Sequence, residues 1–252
     1  MNASSWMTRL AGLALAAVGL AACGSTGGGG NAPALAGEPR LRVAQAAEEA
    51  GDLGMAEELY AAASAAEPRE AAVQLRYADL LVRRGRLSDA RELLESHAGI
   101  VTNPVQLRGG MGALYVLTGE PARAVAEFDT VLAARPGDAR ATVNKAIALD
   151  LLRRHDEAQA LYRAALTLAP RDPVVINNLA LSLMLAGRAQ EGGALLEQIR
   201  DRADLQPRIR GGMAVVLAAG GNVAGGRAVA GDRVGDAQLV ELADAARRAP
   251  LR

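Results

Sequence analysis

The sequence predicts an all-α fold in which helical hairpins stack along the chain as a solenoid. Small and bulky residues recur every 34 residues between residues 37 and 206, a period typical of hairpins that bury their apolar faces against neighbouring copies. Half of the 252 residues are apolar but only 2% are aromatic, so the chain packs through alanine and leucine. An alanine-rich helical bundle without a repeat is the alternative, and the agreement among five successive frames argues against it.

Frame 105–138 shows the pattern most clearly. An apolar-small pair and an aromatic residue fall on a first helix, a small and an aromatic residue fall on a second helix, and a proline follows. In order these residues are Met111-Gly112, Tyr115, Ala124, Phe128 and Pro136. Small residues let antiparallel helices approach closely, and proline ends a helix because it lacks an amide hydrogen. This order resembles the tetratricopeptide repeat, and the resemblance implies a right-handed α-solenoid of helical hairpins.

The same positions can be read in every frame. The small position of the first helix holds Ala44, Ala78, Gly112, Ala146 and Ala180, and that of the second helix holds Ala56, Ala90, Ala124, Ala158 and Gly192. The bulky position holds Tyr60, Leu94, Phe128, Tyr162 and Leu196, and the turn between the helices holds Gly51, Gly85, Gly119, Arg153 and Gly187. The sequence therefore predicts five repeats, at 37–70, 71–104, 105–138, 139–172 and 173–206.

Residues 207–252 predict a partial sixth repeat and a C-terminal cap. The first-helix pattern continues in Arg210, Met213, Ala214 and Leu217. In the glycine-rich stretch 225–235 the second helix is expected to be degenerate. Asp236–Arg248 predicts a last helix that closes the open end of the solenoid, with its inner side formed by Leu239, Val240, Leu242 and Ala243.

Residues 1–22 predict a secretion signal, with Arg9 as its positive region and Leu10–Leu20 as a short apolar run. Translation could start at Met1 or at Met7. The signal ends in Leu20-Ala21-Ala22-Cys23, which resembles a bacterial lipobox. That resemblance implies cleavage before Cys23 and acylation of its thiol and amine, and Gly24 in place of Asp implies an outer membrane lipoprotein facing the periplasm. An ordinary signal peptide with an incidental cysteine is the alternative.

Residues 23–36 form the acylated cysteine and a glycine-rich tether without apolar periodicity. A flexible chain of these 14 residues spans about 20 Å on average. The folded repeats are therefore expected to move over the membrane surface without lying in it.

The sequence offers no constellation for catalysis, a metal or a cofactor. His97 and His155 are the only histidines, one at a helix end and one in a turn, and no cysteine besides Cys23 could join them. Lys145, the only lysine, follows Asn144, which excludes a P-loop. The charges balance to zero, so no basic face for nucleic acid is indicated.

In tetratricopeptide arrays the first helices line a concave face, and the resemblance places nine candidate partner-binding residues there: Arg76, Asp79, Arg140, Asn144, Ile147, Asn177, Asn178, Leu181 and Arg208. Asn144 and Asn178 share one repeat position, and their amides can pair with the backbone of an extended peptide. Arg140 and Arg208 could hold carboxylates, and the glycine pairs 109–110 and 211–212 are expected to widen the groove. The alternatives are that the asparagines are merely solvated, or that a partner binds the convex face or the repeat edges.

The chain also resembles, more narrowly, the TadD-like lipoproteins of tight-adherence (Tad/Flp) pilus assembly. The residues that carry this resemblance are Asn177–Ser182, Leu185–Arg188, Pro207–Arg210 and the lipobox. The family implies a scaffold, without catalysis, that binds a protein or peptide such as a pilus secretin or assembly component. The alternatives are another outer membrane lipoprotein with these repeats, such as a type IV pilus pilotin or an adaptor for cell-wall enzymes, and a hydrolase fused to helices.

Overall fold

The structure, a computed structural model, describes residues 38–202, 204–231, 237, 239–241 and 244, and all regular secondary structure in these residues is helical. The helices are α1 Glu38–Glu49, α2 Leu53–Ala66, α3 Ala71–Arg83, α4 Leu87–His97, α5 Pro104–Leu117, α6 Pro121–Ala134, α7 Ala139–Leu151, α8 His155–Leu168, α9 Pro173–Leu185, α10 Ala189–Leu196, α11 Pro207–Ala219 and α12 Val223–Ala230. Each 34-residue frame thus contains one helical hairpin, and the predicted fold class is confirmed.

The described residues form two compact units, 38–136 with α1–α6 and 137–244 with α7–α12. Within each unit, a first helix packs against the second helix of its own hairpin and against the second helix of the preceding one. The apolar face of one hairpin is therefore covered by the next hairpin along the chain, as stacking of repeats requires.

Small residues sit where the two helices of a hairpin cross, and bulky residues fill the space beside them. Ala44, Ala56 and Tyr60 are fully buried in the first hairpin. In the third hairpin, a Cβ atom on Gly112 would lie 2.8 Å from the Phe128 ring, so this crossing has no room for a side chain. Small and bulky residues thus recur in the sequence because the same helix-crossing geometry is repeated along the chain.

Five of the described helices begin at a side chain that caps free backbone amides. Asp52 accepts a hydrogen bond from the Met55 amide at 3.0 Å, Asn103 from Gln106 at 3.1 Å, Asp138 from Ala141 at 2.9 Å, Asp172 from Val174 at 2.8 Å and Asn222 from Gly225 at 2.8 Å. Proline opens α5, α6, α9 and α11, where its missing amide hydrogen costs nothing. Local signals therefore fix where the helices begin, independently of packing.

The turns within the hairpins use the left-handed backbone conformation. Gly51, Gly85, Gly119, Gly187 and Gly221 have φ between 76° and 95°. Arg153 holds the same position in the fourth hairpin with φ 63°, and it is the only residue other than glycine with positive φ in the described part of the chain. Side chains with a Cβ atom adopt this conformation at a cost of about 1–2 kcal/mol.

We expect Arg153→Gly to raise the free energy of unfolding by about 0.5–1 kcal/mol. Relief of the left-handed strain outweighs the extra backbone entropy that glycine gives to the unfolded chain. The matched control is Gly187→Ala, which creates the same strain and is expected to lower stability by about 1 kcal/mol. Urea unfolding measures both changes, and destabilisation by Arg153→Gly would contradict the explanation from strain.

Neighbouring second helices are linked by polar pairs at two repeat positions that lie 29 residues apart. Glu57 pairs with Arg86, the reversed pair Arg91–Glu120 follows one repeat later, and Arg188 donates to Gln159 at 3.0 Å in the other unit. Because the charged pairs are partly exposed to solvent, each adds little stability. They instead favour one register between adjacent hairpins.

The sixth frame differs from the expectation of a degenerate second helix. Residues 223–230 form α12, which has 8 residues instead of the 14 in α2, α6 and α8. A Cβ atom on Gly226 would lie 2.7 Å from the Ala214 carbonyl oxygen, so Gly226 continues the small-residue crossing. The frame therefore holds a short but regular hairpin.

The C-terminal element is described only at a few positions. Residues 237, 239–241 and 244 are helical, and Leu239 is buried beside Gly226, as the predicted cap requires. The prediction that Val240 lies on the inner side is wrong, because Val240 is exposed. Leu242 and Ala243 lie outside the described residues, as do the predicted signal segment, Cys23 and the tether. None of the described helices combines the length and hydrophobicity that crossing a bilayer requires.

Candidate partner-binding site

Seven of the nine predicted groove residues lie in the unit 137–244, on the first helices of its hairpins. α7 carries Arg140, Asn144 and Ile147, α9 carries Asn177, Asn178 and Leu181, and α11 carries Arg208. α9 is central to this unit, because it packs against α7, α8, α10 and α11. The side chains of the three asparagines, Ile147 and Leu181 are only 3–6% exposed, whereas Arg140 and Arg208 are partly exposed.

The predicted residues repeat as an amide followed three positions later by an apolar side chain. Asn144 and Ile147 on α7 correspond to Asn178 and Leu181 on α9, one 34-residue step along the chain. An amide can donate to and accept from a peptide backbone, and the neighbouring apolar group can contact the side chain of that peptide. The same pair of residue types therefore occurs twice, once on α7 and once on α9.

Three buried polar atoms at this site have no hydrogen-bond partner among the described residues. They are Nη1 of Arg140, Oδ1 of Asn177 and Nδ2 of Asn178. A buried donor or acceptor without a partner costs about 1–3 kcal/mol. These three atoms are therefore the buried polar groups of the first helices whose hydrogen-bonding capacity is unused within the described structure.

The glycine pair 211–212 does not simply widen the groove, as the sequence suggested. A Cβ atom on Gly212 would lie 2.6 Å from Oδ1 of Asn177, so the Asn177 amide occupies the space that a side chain on α11 would need. Gly212 therefore lets an asparagine of α9 pack between the two first helices. Sequence reasoning missed this because it treated each glycine by itself and not with the residue that faces it.

Arg76 and Asp79 belong to the other unit, on α3. Asp79 pairs with Arg83 at 3.1 Å, and Arg83 also pairs with Glu48 on α1. Burial alone would raise the pKa of Glu48, but hydrogen bonds from Arg83 and Tyr60 and the charge of Arg76 lower it below its usual value. Within the unit 38–136, these groups form a charged cluster on α1 and α3.

A buried carboxylate in the unit 137–244 was not anticipated from the sequence. Asp150 at the end of α7 accepts hydrogen bonds from Ser182 Oγ at 2.6 Å and Tyr162 Oη at 3.1 Å, and His155 Nδ1 lies 2.8 Å from it. Burial raises the pKa of Asp150 above its usual value of 3.8, although these hydrogen bonds oppose the rise. His155, which the sequence placed in a turn, is instead the first residue of α8, and its side chain is mostly buried against Asp150.

A repeat-position comparison could have revealed this carboxylate. When the bulky position is tyrosine, a carboxylate stands 12 residues earlier and binds its hydroxyl, as in Tyr60–Glu48 and Tyr162–Asp150. Where leucine or phenylalanine replaces tyrosine, the earlier position is apolar: Val82, Val116 and Met184. The pairing follows from the need of a buried hydroxyl for a hydrogen-bond partner.

The side chains around Asp150 form a buried hydrogen-bond cluster and not a serine–histidine–carboxylate relay. The Ser182 hydroxyl and His155 Nδ1 both contact the Asp150 carboxylate, so the imidazole does not stand between the hydroxyl and the carboxylate. In the described ranges, no group of three or more His, Cys, Asp or Glu side chains could hold a metal ion. His97 at the end of α4 contacts the Leu93 carbonyl oxygen through Nδ1 at 2.7 Å, in keeping with the expected helix-end position.

Comparisons with known proteins agree with the fold of stacked helical hairpins. The chain is similar to PilW, described as a widely conserved type IV pilus biogenesis factor (21% identity, 77% of this chain and 90% of that chain, TM-score 0.67). It is also similar to TTC0263, a thermophilic tetratricopeptide repeat protein of Thermus thermophilus (19% identity, 73% of this chain and 100% of that chain, TM-score 0.60). A third similar structure is MamA from Desulfovibrio magneticus (15% identity, 65% of this chain and 92% of that chain, TM-score 0.56). At these identities the likeness concerns the fold alone.

Similarity in sequence is more local. An uncharacterized protein of Sinorhizobium fredii, y4yS, is 35% identical over 85 residues, which are 34% of this chain and 44% of that protein. The chain thus spans less than half of that relative. Models of the tetratricopeptide repeat match residues 111–173 and residues 47–106 and 151–216, which together are well over half of the sequence. The chain therefore belongs to the tetratricopeptide repeat family.

Proposed function

We propose that this tetratricopeptide repeat scaffold binds an extended segment of a partner protein along the first helices of its unit 137–244. The observation that carries the proposal is the set of buried, unpartnered polar atoms on Arg140, Asn177 and Asn178. The repeated amide and apolar pairs, Asn144–Ile147 and Asn178–Leu181, support the same mode of binding. A peptide backbone would satisfy these donors and acceptors, and the guanidinium of Arg140 would favour a carboxylate in the bound segment.

The double substitution Asn144→Ala with Asn178→Ala tests this site. Nδ2 of Asn178 has no partner in the described structure, so the loss of this donor breaks no hydrogen bond of the fold. Loss of the hydrogen bonds to a bound peptide should weaken partner capture by about tenfold or more. The measurement is recovery of the partner from cell extracts with the immobilised protein, together with the thermal unfolding midpoint.

The matched control replaces two exposed amides of the same unit, Gln190→Ala with Gln198→Ala. Capture by this control should equal that of the parent chain. Unchanged capture by the Asn144 and Asn178 variant, with its fold intact, would place the binding site elsewhere, on the second helices or at the repeat edges.

The proposal extends to the membrane through Cys23. The lipobox resemblance at 20–23, Gly24 after it and the glycine-rich tether support an acylated protein of the outer membrane that faces the periplasm. Several acyl chains hold a protein on a bilayer far more firmly than a single one.

Replacement of Cys23 by serine should abolish labelling with radioactive palmitate and move the protein from the membrane fraction to the soluble fraction. Ser25→Ala, two residues away, is the control and should leave both properties unchanged. Continued labelling of the Cys23→Ser variant would exclude this residue as the acylation site.

We further propose a role in assembling a Tad/Flp-type pilus secretin complex. The supporting observations are the TadD-like stretches 177–182, 185–188 and 207–210 and the fold that the chain shares with a pilus biogenesis factor. In a strain that lacks the protein, the secretin should remain as monomers that dissolve in detergent. Normal secretin multimers in that strain would favour the alternatives, a type IV pilus pilotin or an adaptor for cell-wall enzymes.

A further inference from the structure

A hydrogen bond joins the two first helices that carry the repeated amides. The Ser182 hydroxyl of α9 donates to Oδ1 of Asp150 on α7 at 2.6 Å. Ser182 is fully buried and the Asp150 side chain is only 11% exposed, so water competes little for this bond. Because a hydrogen bond requires a short donor–acceptor distance and a near-linear angle, it restricts both the separation and the sliding of α7 and α9.

Apolar packing alone would restrain these two helices less. α9 packs mainly against α8, α10 and α11 and contacts α7 at few positions. One repeat later, the residues that correspond to Asp150 and Ser182 are Met184 and Val216, which are both buried and apolar. The hydrogen bond between α7 and α9 is therefore not repeated at the corresponding positions of α9 and α11.

This hydrogen bond coincides with the amides of the partner-binding site. Asn144 on α7 and Asn178 on α9 share one repeat position, whereas α11 has Gly212 there. Asn178 precedes Ser182 by four residues, so both side chains lie on one face of α9, one helical turn apart. Any movement of that face relative to α7 therefore also moves the Asn178 amide relative to Asn144.

Two other side chains contact the same carboxylate without linking the two first helices. The Tyr162 hydroxyl on α8 donates to Oδ2 of Asp150 at 3.1 Å. His155 at the beginning of α8 has its Nδ1 atom 2.8 Å from Oδ1. Both residues hold the two helices of one hairpin together, whereas Ser182 reaches Asp150 from the next hairpin.

We infer that Asp150 and Ser182 are positioning residues of the partner-binding site. Their hydrogen bond sets the spacing between α7 and α9, and with it the spacing of Asn144 and Asn178. The inference rests on the proposed function of this site. An extended segment advances by about 3.3 Å per residue, so amides at a fixed spacing meet backbone groups of one register. A chain without the hydrogen bond should bind the same segment more weakly, because binding must then also order the two helices.

Ser182→Ala tests the inference, with Tyr162→Phe as the matched control. Each substitution removes one hydroxyl donor from Asp150, so the thermal unfolding midpoint should fall by similar amounts. The probe is a fluorescent peptide selected from a random library for binding to the full parent chain, and the Asn144→Ala and Asn178→Ala double variant should not bind it. Ser182→Ala should weaken binding of this peptide by about tenfold, whereas Tyr162→Phe should change it by less than about twofold.

A second measurement does not depend on binding. Nitroxide labels at Leu152→Cys and Ala186→Cys, the partly exposed residues that follow α7 and α9, report the distance between these helix ends by electron paramagnetic resonance. Cys23→Ser removes the only native thiol of the chain. Ser182→Ala should broaden the distribution of label distances, and Tyr162→Phe should leave it unchanged.

Equal peptide binding by the Ser182→Ala and Tyr162→Phe chains would overturn the inference and leave the proposed site intact. Label distances that Ser182→Ala does not alter would do the same. Peptides that bind the parent chain and the Asn144→Ala and Asn178→Ala double variant equally would refute the proposed site itself, and the inference with it.

Discussion

Gly192→Ala is expected to lower the free energy of unfolding by about 2–3 kcal/mol. A Cβ atom at this position would lie 2.7 Å from the Ala180 carbonyl oxygen, 3.3 Å from the Ala180 Cα and 3.1 Å from Val216 Cγ1. The first two atoms belong to backbone, so the clash is relieved only if α9 and α10 move apart. The better helix propensity of alanine, about 1 kcal/mol, offsets only part of this cost. Denaturant unfolding followed by circular dichroism measures the change.

The adjacent glycine provides a matched control. A Cβ atom on Gly193 would meet only the end of the Leu217 side chain, at 3.6 Å, which is an ordinary contact. Gly193→Ala should therefore raise stability by about 0.5–1 kcal/mol through helix propensity alone. If the two substitutions had similar effects, the helix crossing at Gly192 would not be as close as the structure shows.

Asp150→Ala is expected to cost about 3 kcal/mol of stability. The substitution leaves the Tyr162 and Ser182 hydroxyls and the His155 ring buried without their acceptor, in addition to a small cavity. Asp156→Ala, an exposed carboxylate on α8, is the control and should change stability by less than about 0.5 kcal/mol. A small effect of Asp150→Ala would show that solvent reaches the three partners.

The pH dependence gives a second test of Asp150. Because burial raises its pKa in the folded state, the folded chain takes up a proton at a higher pH than the unfolded chain does. The parent chain should therefore gain stability relative to Asp150→Asn as the pH falls from 7 towards the usual value of 3.8. The advantage is complete below the unfolded pKa and is lost as the pH rises through the folded pKa. A parent chain that loses stability relative to Asp150→Asn as the pH falls would show that the folded-state pKa is not raised.

The repeat frame was predictable because packing imposes it. Ala56, Ala90 and Ala124 are small because two helices cross at each of these positions. The same constraint recurs in every 34-residue repeat, so the pattern can be distinguished from a chance match in a single repeat. Arg153 was recognisable as an exception but not as a strained residue, because sequence does not reveal whether the backbone keeps its conformation when glycine is absent. The frame persists there because the hydrogen bonds of the turn recur, with the Arg154 amide donating to the Leu149 carbonyl oxygen at 2.9 Å.

The candidate site was predicted less completely, since its chemistry depends on contacts between frames. The family pattern placed Asn144 and Asn178 on the first helices, but it did not show that both are buried, and the packing of Asn177 against Gly212 follows from how α9 meets α11. Likewise, Asp150 becomes a buried carboxylate only when α8 and α9 supply Tyr162 and Ser182. Such polar groups satisfy each other across helices, and a reading of one helix at a time misses them.

The most direct test of partner binding by the first helices is site-specific photo-crosslinking in living cells. A photoreactive amino acid is placed in turn at the partly exposed Arg140 and Arg208 and, as the control on α8, at the exposed Leu168. The proposal predicts that the first two positions crosslink to the same protein and that Leu168 does not. Crosslinking of a shared partner from Leu168, with none from Arg140 or Arg208, would contradict it.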